Sequence, residues 1–167
     1  MKAALEQARE AFQKGEFPVG CVVVQNGQIL ATGERKGTSP KAAPPGEIEH
    51  AEINCLKELE KSGTLDLQAP AHLFCTMEPC LMCYGAIIIS GIRNIVYAYE
   101  DPMGGGTGCD LTSLPPLYST CGMTIIPGIL REESLQLFYD FFTSGRNTYW
   151  KDSLLAGYTI EQMQRNR

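Results

Sequence analysis

Two short stretches hold residue types able to do metal chemistry: His50-Ala51-Glu52 and Pro79-Cys80-Leu81-Met82-Cys83. One imidazole and two thiolates are ligands that zinc favours, and zinc sites that do chemistry keep three protein ligands with a fourth position open. Two thiolates and a neutral imidazole also balance the charge of the dication. Cys80 and Cys83 stand three residues apart, so on a helix they share a face and can grip one ion. At a helix N-terminus the positive end of the macrodipole favours thiolate over thiol. Pro79 suits the first turn of such a helix, where a missing N–H has no intrahelical partner to lose. Glu52 separates a catalytic site from a structural one. Along a continuous helix, residues two apart point roughly 200° from each other, so His50 and Glu52 converge only if His50 stands at the helix start. A carboxylate held there, outside the coordination shell, can take a proton from a water and hand it to a leaving group.

Other uses of the same residues stay open at this point. A Cys-x-x-Cys can be a dithiol redox pair, although no oxidoreductase context surrounds this one. A structural zinc would need a fourth ligand, for which Cys75 and His72 are the nearest candidates, and it would leave Glu52 without a task. His72 reads more simply as a polar residue at a strand edge.

The elements that must position these groups follow from patterning. Leu5, Ala8 and Phe12 predict an amphipathic helix that stops at Gly15. PVGCVVVQ and NGQILATG, joined through Asn26-Gly27, predict an antiparallel hairpin with a tight primed turn. Residues 35–48, with three prolines and two glycines, form no regular element. Ile53, Leu56 and Leu59 recur on one helical face until Ser62-Gly63, so a helix begins close to His50. AHLFCTM reads as a buried strand, PCLMCYGAIIISG as a helix opened by its proline, and NIVYAY and MTIIPG as further strands. Leu135, Phe138 and Phe142 mark a helix ending near Gly145. A hairpin followed by alternating strands and helices implies an α/β sandwich with a mixed sheet. The glycine cluster of DPMGGGTG lacks the Gly-Lys-Ser/Thr ending of a phosphate loop and leads into no helix, which leaves a flexible surface or substrate loop.

A chain of 167 residues is one domain's worth of core. No run reaches the ~18–20 apolar residues of a membrane helix, and the N-terminus is charged where a signal peptide would be apolar; a cytoplasmic protein is expected. With 14 basic and 19 acidic side chains the net charge is −5, which gives no global attraction to polyanions. The seven cysteines are odd in number, and reduced thiols are the better reading. Cys21, Cys55 and Cys75 sit in apolar patterns as small buried residues. Cys109 and Cys121 flank a loop and take no assigned role.

The two metal-binding stretches match the zinc signature of the cytidine and nucleotide deaminase superfamily, and the chain resembles that superfamily over residues 3–142. EFPVGCVVV, CTMEPCLMCYGAIIISGI and the IIPGIL…FYDFF ending carry the likeness, which within the superfamily is greatest to bacterial tRNA adenosine deaminases. The resemblance implies a three-layer α/β/α sandwich on a five-stranded mixed sheet, with residues 1–145 as the deaminase domain and 146–167 as its helical extension. It implies a zinc cofactor on His50, Cys80 and Cys83, and hydrolytic deamination in which Glu52 protonates a ring nitrogen and then the departing amine. Backbone N–H groups at Ala51 and Cys80 would hold the substrate's polar edge. A homodimer is implied as well.

The chain also departs from its relatives. Where tRNA adenosine deaminases carry a purine-binding asparagine after the second strand, this chain reads TGERKG, with Glu34, Arg35 and Lys36. The 35–49 loop is longer and richer in proline, leads straight into His50 and is expected to shape the mouth of the pocket. The tail, GRNTYWKDSLLAGYTIEQMQRNR, is only weakly basic and suits a helix packed on its own domain or a partner at least as well as an RNA contact. Acidic charge, the missing asparagine and the tail place a free base or nucleoside first as substrate, with tRNA adenosine as the alternative. An inactive deaminase-like binding subunit is the alternative from another class, against which the intact Glu52 argues.

Overall fold

The computed structural model describes residues 1–42 and 45–165. Six helices and five strands follow in the order α1 (Lys2–Gln13), β1 (Gly20–Gln25), β2 (Gln28–Glu34), α2 (Ala51–Ser62), β3 (Ala71–Met77), α3 (Leu81–Ile89), β4 (Asn94–Tyr99), α4 (Pro116–Ser119), β5 (Thr124–Ile126), α5 (Arg131–Thr143) and α6 (Leu154–Arg165). The sheet runs β2-β1-β3-β4-β5. β1 pairs antiparallel with β2 and β3, whereas β3, β4 and β5 are parallel, so the expected mixed five-stranded sheet is present. Asn26 and Gly27 both have positive φ, 51° and 75°, as the primed hairpin turn requires.

Helices cover both faces. α1 and α5 pack on one side of the sheet, α2 lies against β1 and β2 on the other, and α3 packs beside α2. The central strands are therefore buried on both faces and read as apolar runs: Val22, Val23, Leu73, Cys75, Ile95 and Tyr99 are all inaccessible or nearly so. On α2 the predicted Leu56 and Leu59 are buried, but Ile53 is only half-buried and Cys55 takes the deepest place.

Gly33 decides how closely α2 approaches. A Cβ there would stand 2.2 Å from the Ala51 carbonyl oxygen and 2.5 Å from the Cys55 nitrogen. The bare backbone of β2 thus lets the first turn of α2, with His50 and Glu52, sit directly on the sheet.

Of the terminal stretch, residues 146–165 are described, and α6 packs on α5. Leu155, Ala156, Thr159 and Met163 face inward, and the Tyr99 and Thr159 hydroxyls lie 3.0 Å apart. Glu100, at the end of β4, accepts from Arg131 of α5 and from Tyr158 of α6, while Arg131 also donates to Gln162 at 3.1 Å. Among the described residues no helix is long and apolar enough to cross a membrane.

Candidate active site

Two helix N-termini meet at the site. His50 is the N-cap of α2, extended at φ −67° and ψ 152°, and Cys80 is the N-cap of α3 at φ −68° and ψ 169°. N-cap positions usually carry Ser, Thr, Asp or Asn, whose side chains bond the first free N–H groups. Here neither side chain makes a cap hydrogen bond; both are left to point at a shared centre. The spacing argument for α3 needs one correction. Pro79 does not occupy the first helical turn but precedes the cap, because its carbonyl accepts a hydrogen bond from the Gly106 N–H at 2.9 Å and the helix begins at Leu81.

The His50 Nδ1 lies 3.7 Å from the Cys80 Sγ and 3.5 Å from the Cys83 Sγ, and the ligand atoms of the three residues fall within 4.8 Å of one another. With Zn–S near 2.3 Å and Zn–N near 2.05 Å, tetrahedral angles put the nitrogen about 3.6 Å from each sulfur. The donor set fits zinc without rearrangement. Cys75 and His72, the possible fourth ligands, do not join the cluster. His72 pairs with Asn94 across β3 and β4, and Cys75 is wholly buried beside Glu52.

Charge at the centre is tuned by these neighbours. A hydrogen bond from Cys83, helped by His50 and opposed by burial, pushes the Cys80 thiol down to about 4, while the same hydrogen bond and burial drive Cys83 upward. Two adjacent thiols that resist losing both protons are the state a dication resolves. Burial acts downward on His50 but the bond to Cys80 carries it above its usual range. Glu52 is 3 % exposed and outside the ligand cluster, and burial raises its carboxyl above the ordinary value. An upward shift makes the carboxylate a better proton acceptor than an exposed one.

A cavity of about 60 Å³ opens beside the cluster, with His50, Ala51, Glu52 and Cys80 at its floor. Ala51 and Cys80, singled out for their backbone N–H groups, do border it at the two helix starts, where such groups lack intrahelical acceptors.

Of the rest of the lining, Arg35 belongs to the 35–49 loop expected at the pocket, and Asp101 and Gly104 to the segment read as a surface or substrate loop; the others carried no sequence signal. Phe17, Val19, Arg35, Met77, Glu78, Asp101, Gly104, Tyr149 and Trp150 complete it. The DPMGGGTG segment is fastened down: the Glu78 carboxylate accepts from the Thr107 hydroxyl at 2.5 Å and from the Thr107 and Asp101 N–H groups at 3.2 Å. A Cβ on Gly106 would meet the Leu81 nitrogen at 2.5 Å, so glycine lets this loop lie on the α3 N-terminus.

The opposite wall comes from the segment between α5 and α6. Tyr149 and Trp150 stack at 4.9 Å with 16° between their planes, and both rings meet Phe17 edge-on. Trp150 sits at φ +52°, a left-handed conformation uncommon for a bulky residue. Asn147 fixes the segment. Its side-chain amide donates to the Gly15 and Thr38 carbonyls at 2.9 and 3.0 Å, and its oxygen accepts from the Tyr149 N–H at 2.8 Å.

The geometry meets its counterpart in known proteins. Residues 1–99 match the family model described as the cytidine and deoxycytidylate deaminase zinc-binding region. The chain belongs to that family. A tRNA-specific adenosine deaminase of Bacillus subtilis is 34 % identical over 143 residues, covering 85 % of this chain and 86 % of that one. A solved structure from work on A-to-I editing at the wobble position of transfer RNA is 29 % identical and superposes with a TM-score of 0.61, over 82 % of this chain and 96 % of the other. A variant protein solved in complex with 8-azaguanine is 26 % identical with a TM-score of 0.66, over 86 % and 83 %. This deaminase is a zinc-dependent hydrolase, and its sandwich is the cytidine deaminase-like fold.

Proposed function

We propose that His50, Cys80 and Cys83 hold the zinc, that Glu52 carries the protons, and that the reaction releases ammonia from an amino-purine or amino-pyrimidine ring. The observation that carries this reading is the convergence of two helix N-caps on three ligand atoms, with a buried carboxyl beside them and outside the cluster. Zinc supplies Lewis acidity that makes water nucleophilic at neutral pH. Glu52 would take one proton from the attacking water and deliver it to the ring nitrogen next to the amine-bearing carbon, then take the second from the added hydroxyl and pass it to the leaving amine as the C–N bond breaks and the carbonyl forms. The N–H groups of Ala51 and Cys80 orient the ring's polar edge, and Phe17, Tyr149 and Trp150 give its faces an apolar, water-excluding wall.

Between the two forms of substrate, the curated relatives support adenosine in tRNA better than the free base or nucleoside that charge and the missing asparagine place first. One structural observation favours the small ring: the position after β2 is filled by Arg35, which lines the cavity together with Tyr149 and Trp150. A panel of free bases, nucleosides and nucleotides beside a matched tRNA, each assayed for ammonia release by the zinc-loaded protein, separates the forms. Inosine at the wobble position, formed faster than any free compound reacts, selects tRNA.

The 146–167 stretch is read as an extension of the 1–145 deaminase domain that completes its pocket, rather than as an independent unit. α3 turns Leu81, Met82 and Ile89 to solvent, an apolar face suited to a second copy of the chain. Sedimentation tests the homodimer, and L81E would dissociate it. A thiolate-based site suits the reducing cytoplasm.

A further inference from the structure

We infer that Arg35 selects the substrate, and that it takes an aminated ring bearing an oxygen acceptor, a ring carbonyl or its anion, on the edge away from the amine. The inference rests on the small-ring reading above and names the chemistry that such a ring must carry.

Arg35 is the one permanently cationic side chain on the cavity lining. It follows β2 directly, its N–H donating to the Val19 carbonyl at 2.9 Å, so its backbone is fixed to the sheet. The side chain is 3 % exposed. A guanidinium that deep needs its five donors engaged and its charge matched. Its partners fall short of this. The Glu47 carbonyl and the Tyr149 hydroxyl each accept at 3.4 Å, and the Glu47 carboxylate lies 3.6 Å away. All three are at or beyond the long end of hydrogen-bond distance. Glu47 is itself 72 % exposed, its charge largely spent on solvent, and it already accepts from the Tyr149 hydroxyl at 2.8 Å. Tyr149 adds only its ring face, 5.9 Å from the guanidinium carbon.

The wall therefore presents a buried cation whose contacts, though present, are all long. A ring nitrogen can accept from one of its donors through a single lone pair, whereas a carbonyl oxygen can accept from two. A carbonyl oxygen entering the cavity would accept from donors already placed and oriented, as charge-assisted hydrogen bonds. Sites built to hydrogen-bond a substrate group reject the analogue lacking that group strongly, because the buried donors are left unpaired.

Three pairs of compounds differ by one such oxygen: isoguanine and adenine, guanine and 2-aminopurine, cytosine and 4-aminopyrimidine. For at least one pair the oxo compound is expected to show a kcat/KM at least about tenfold higher in the zinc-loaded protein. In R35Q the pair should converge to within about twofold, through a rise in KM for the oxo member, with zinc content unchanged. R35K should recover part of the preference and stands in if R35Q does not fold. Trp150 is the only tryptophan of the chain and lies on this cavity, so its fluorescence reads binding without turnover: xanthine should bind the wild-type protein at least about tenfold more tightly than purine, and R35Q should bind them alike. Equal handling of both members of every pair, a preference that survives in R35Q, or deamination of wobble adenosine alone would overturn the inference. Absence of ammonia from every compound and from tRNA would sink the deaminase reading, and the xanthine titration would still decide the role of Arg35.

Discussion

The floor and the roof of the cavity are built by different rules. The floor, His50, Ala51, Glu52 and Cys80, comes from two helix starts, each supplying its groups within a few residues of chain. The roof joins Arg35, Tyr149 and Trp150 through bonds that span the sequence: Arg35 to Tyr149 across 114 residues, and Asn147 to Gly15 across 132. The chemistry of the reaction is thus encoded locally and is hard to lose by small shifts elsewhere. Selectivity is a tertiary property, assembled from parts whose types alone say little.

The contrast can be broken most severely at the floor. Cys80→Ala should bring zinc to near zero per chain by metal analysis and abolish turnover, with a fall in thermal stability, because two ligands do not hold the ion. Glu52→Gln should keep one zinc per chain and an unchanged circular dichroism spectrum while lowering kcat by about 100-fold or more. A retained rate above about a tenth of wild type would remove Glu52 from the proton path. Gly33→Ala drives a methyl group into the first turn of α2 and should destabilise by about 2–3 kcal/mol in denaturant titration, with reduced zinc affinity, since it is the floor that it displaces.

Changes in the roof should be smaller and of another kind. Asn147→Ala removes both amide bonds to Gly15 and Thr38 and the acceptor for Tyr149, and should raise KM by about tenfold, the equivalent of one to two lost hydrogen bonds, with zinc content and the chemical step kept. If kcat fell instead, the roof would share in the chemistry and the comparison would fail.

The mildest test uses acid. Burial opposes ionisation of Glu100, but the bonds from Arg131 and Tyr158 outweigh it and hold the carboxyl at about 2. Its native value lies below its unfolded one, so the stabilisation is complete above the ordinary carboxylate range and is lost as pH falls through that range towards 2. Glu100 is a third exposed, which reduces the effect to under about 1 kcal/mol. Glu100→Gln should flatten the acid limb of the stability curve by that amount.

Legibility in the sequence follows the same division. The hairpin turn at Asn26-Gly27, the helix start at His50 and the apolar central strands were readable because each is a short-range pattern. So was the grouping of His50, Cys80 and Cys83. The exact start of α3 was not, since Pro79 is held out of the helix by Gly106, a partner whose approach no local pattern announces. The tail's packing on its own domain was one of two readings, and its Tyr149-Trp150 pair carried no mark of a pocket wall. Arg35 stood out only as a departure from relatives; that it is buried, and weakly compensated, depends on Glu47 and Tyr149 meeting it from two other segments.

The order of the chain gives the Asn147 anchor a temporal meaning. Synthesis runs from the N-terminus and domains fold as their parts emerge. His50, Cys80 and Cys83 leave the ribosome well before the residue that fastens the roof to Gly15 and Thr38. A nascent chain can capture its ion while the mouth above it is still unbuilt. The parts that discriminate are thus the last to be assembled, after both helix starts have been made.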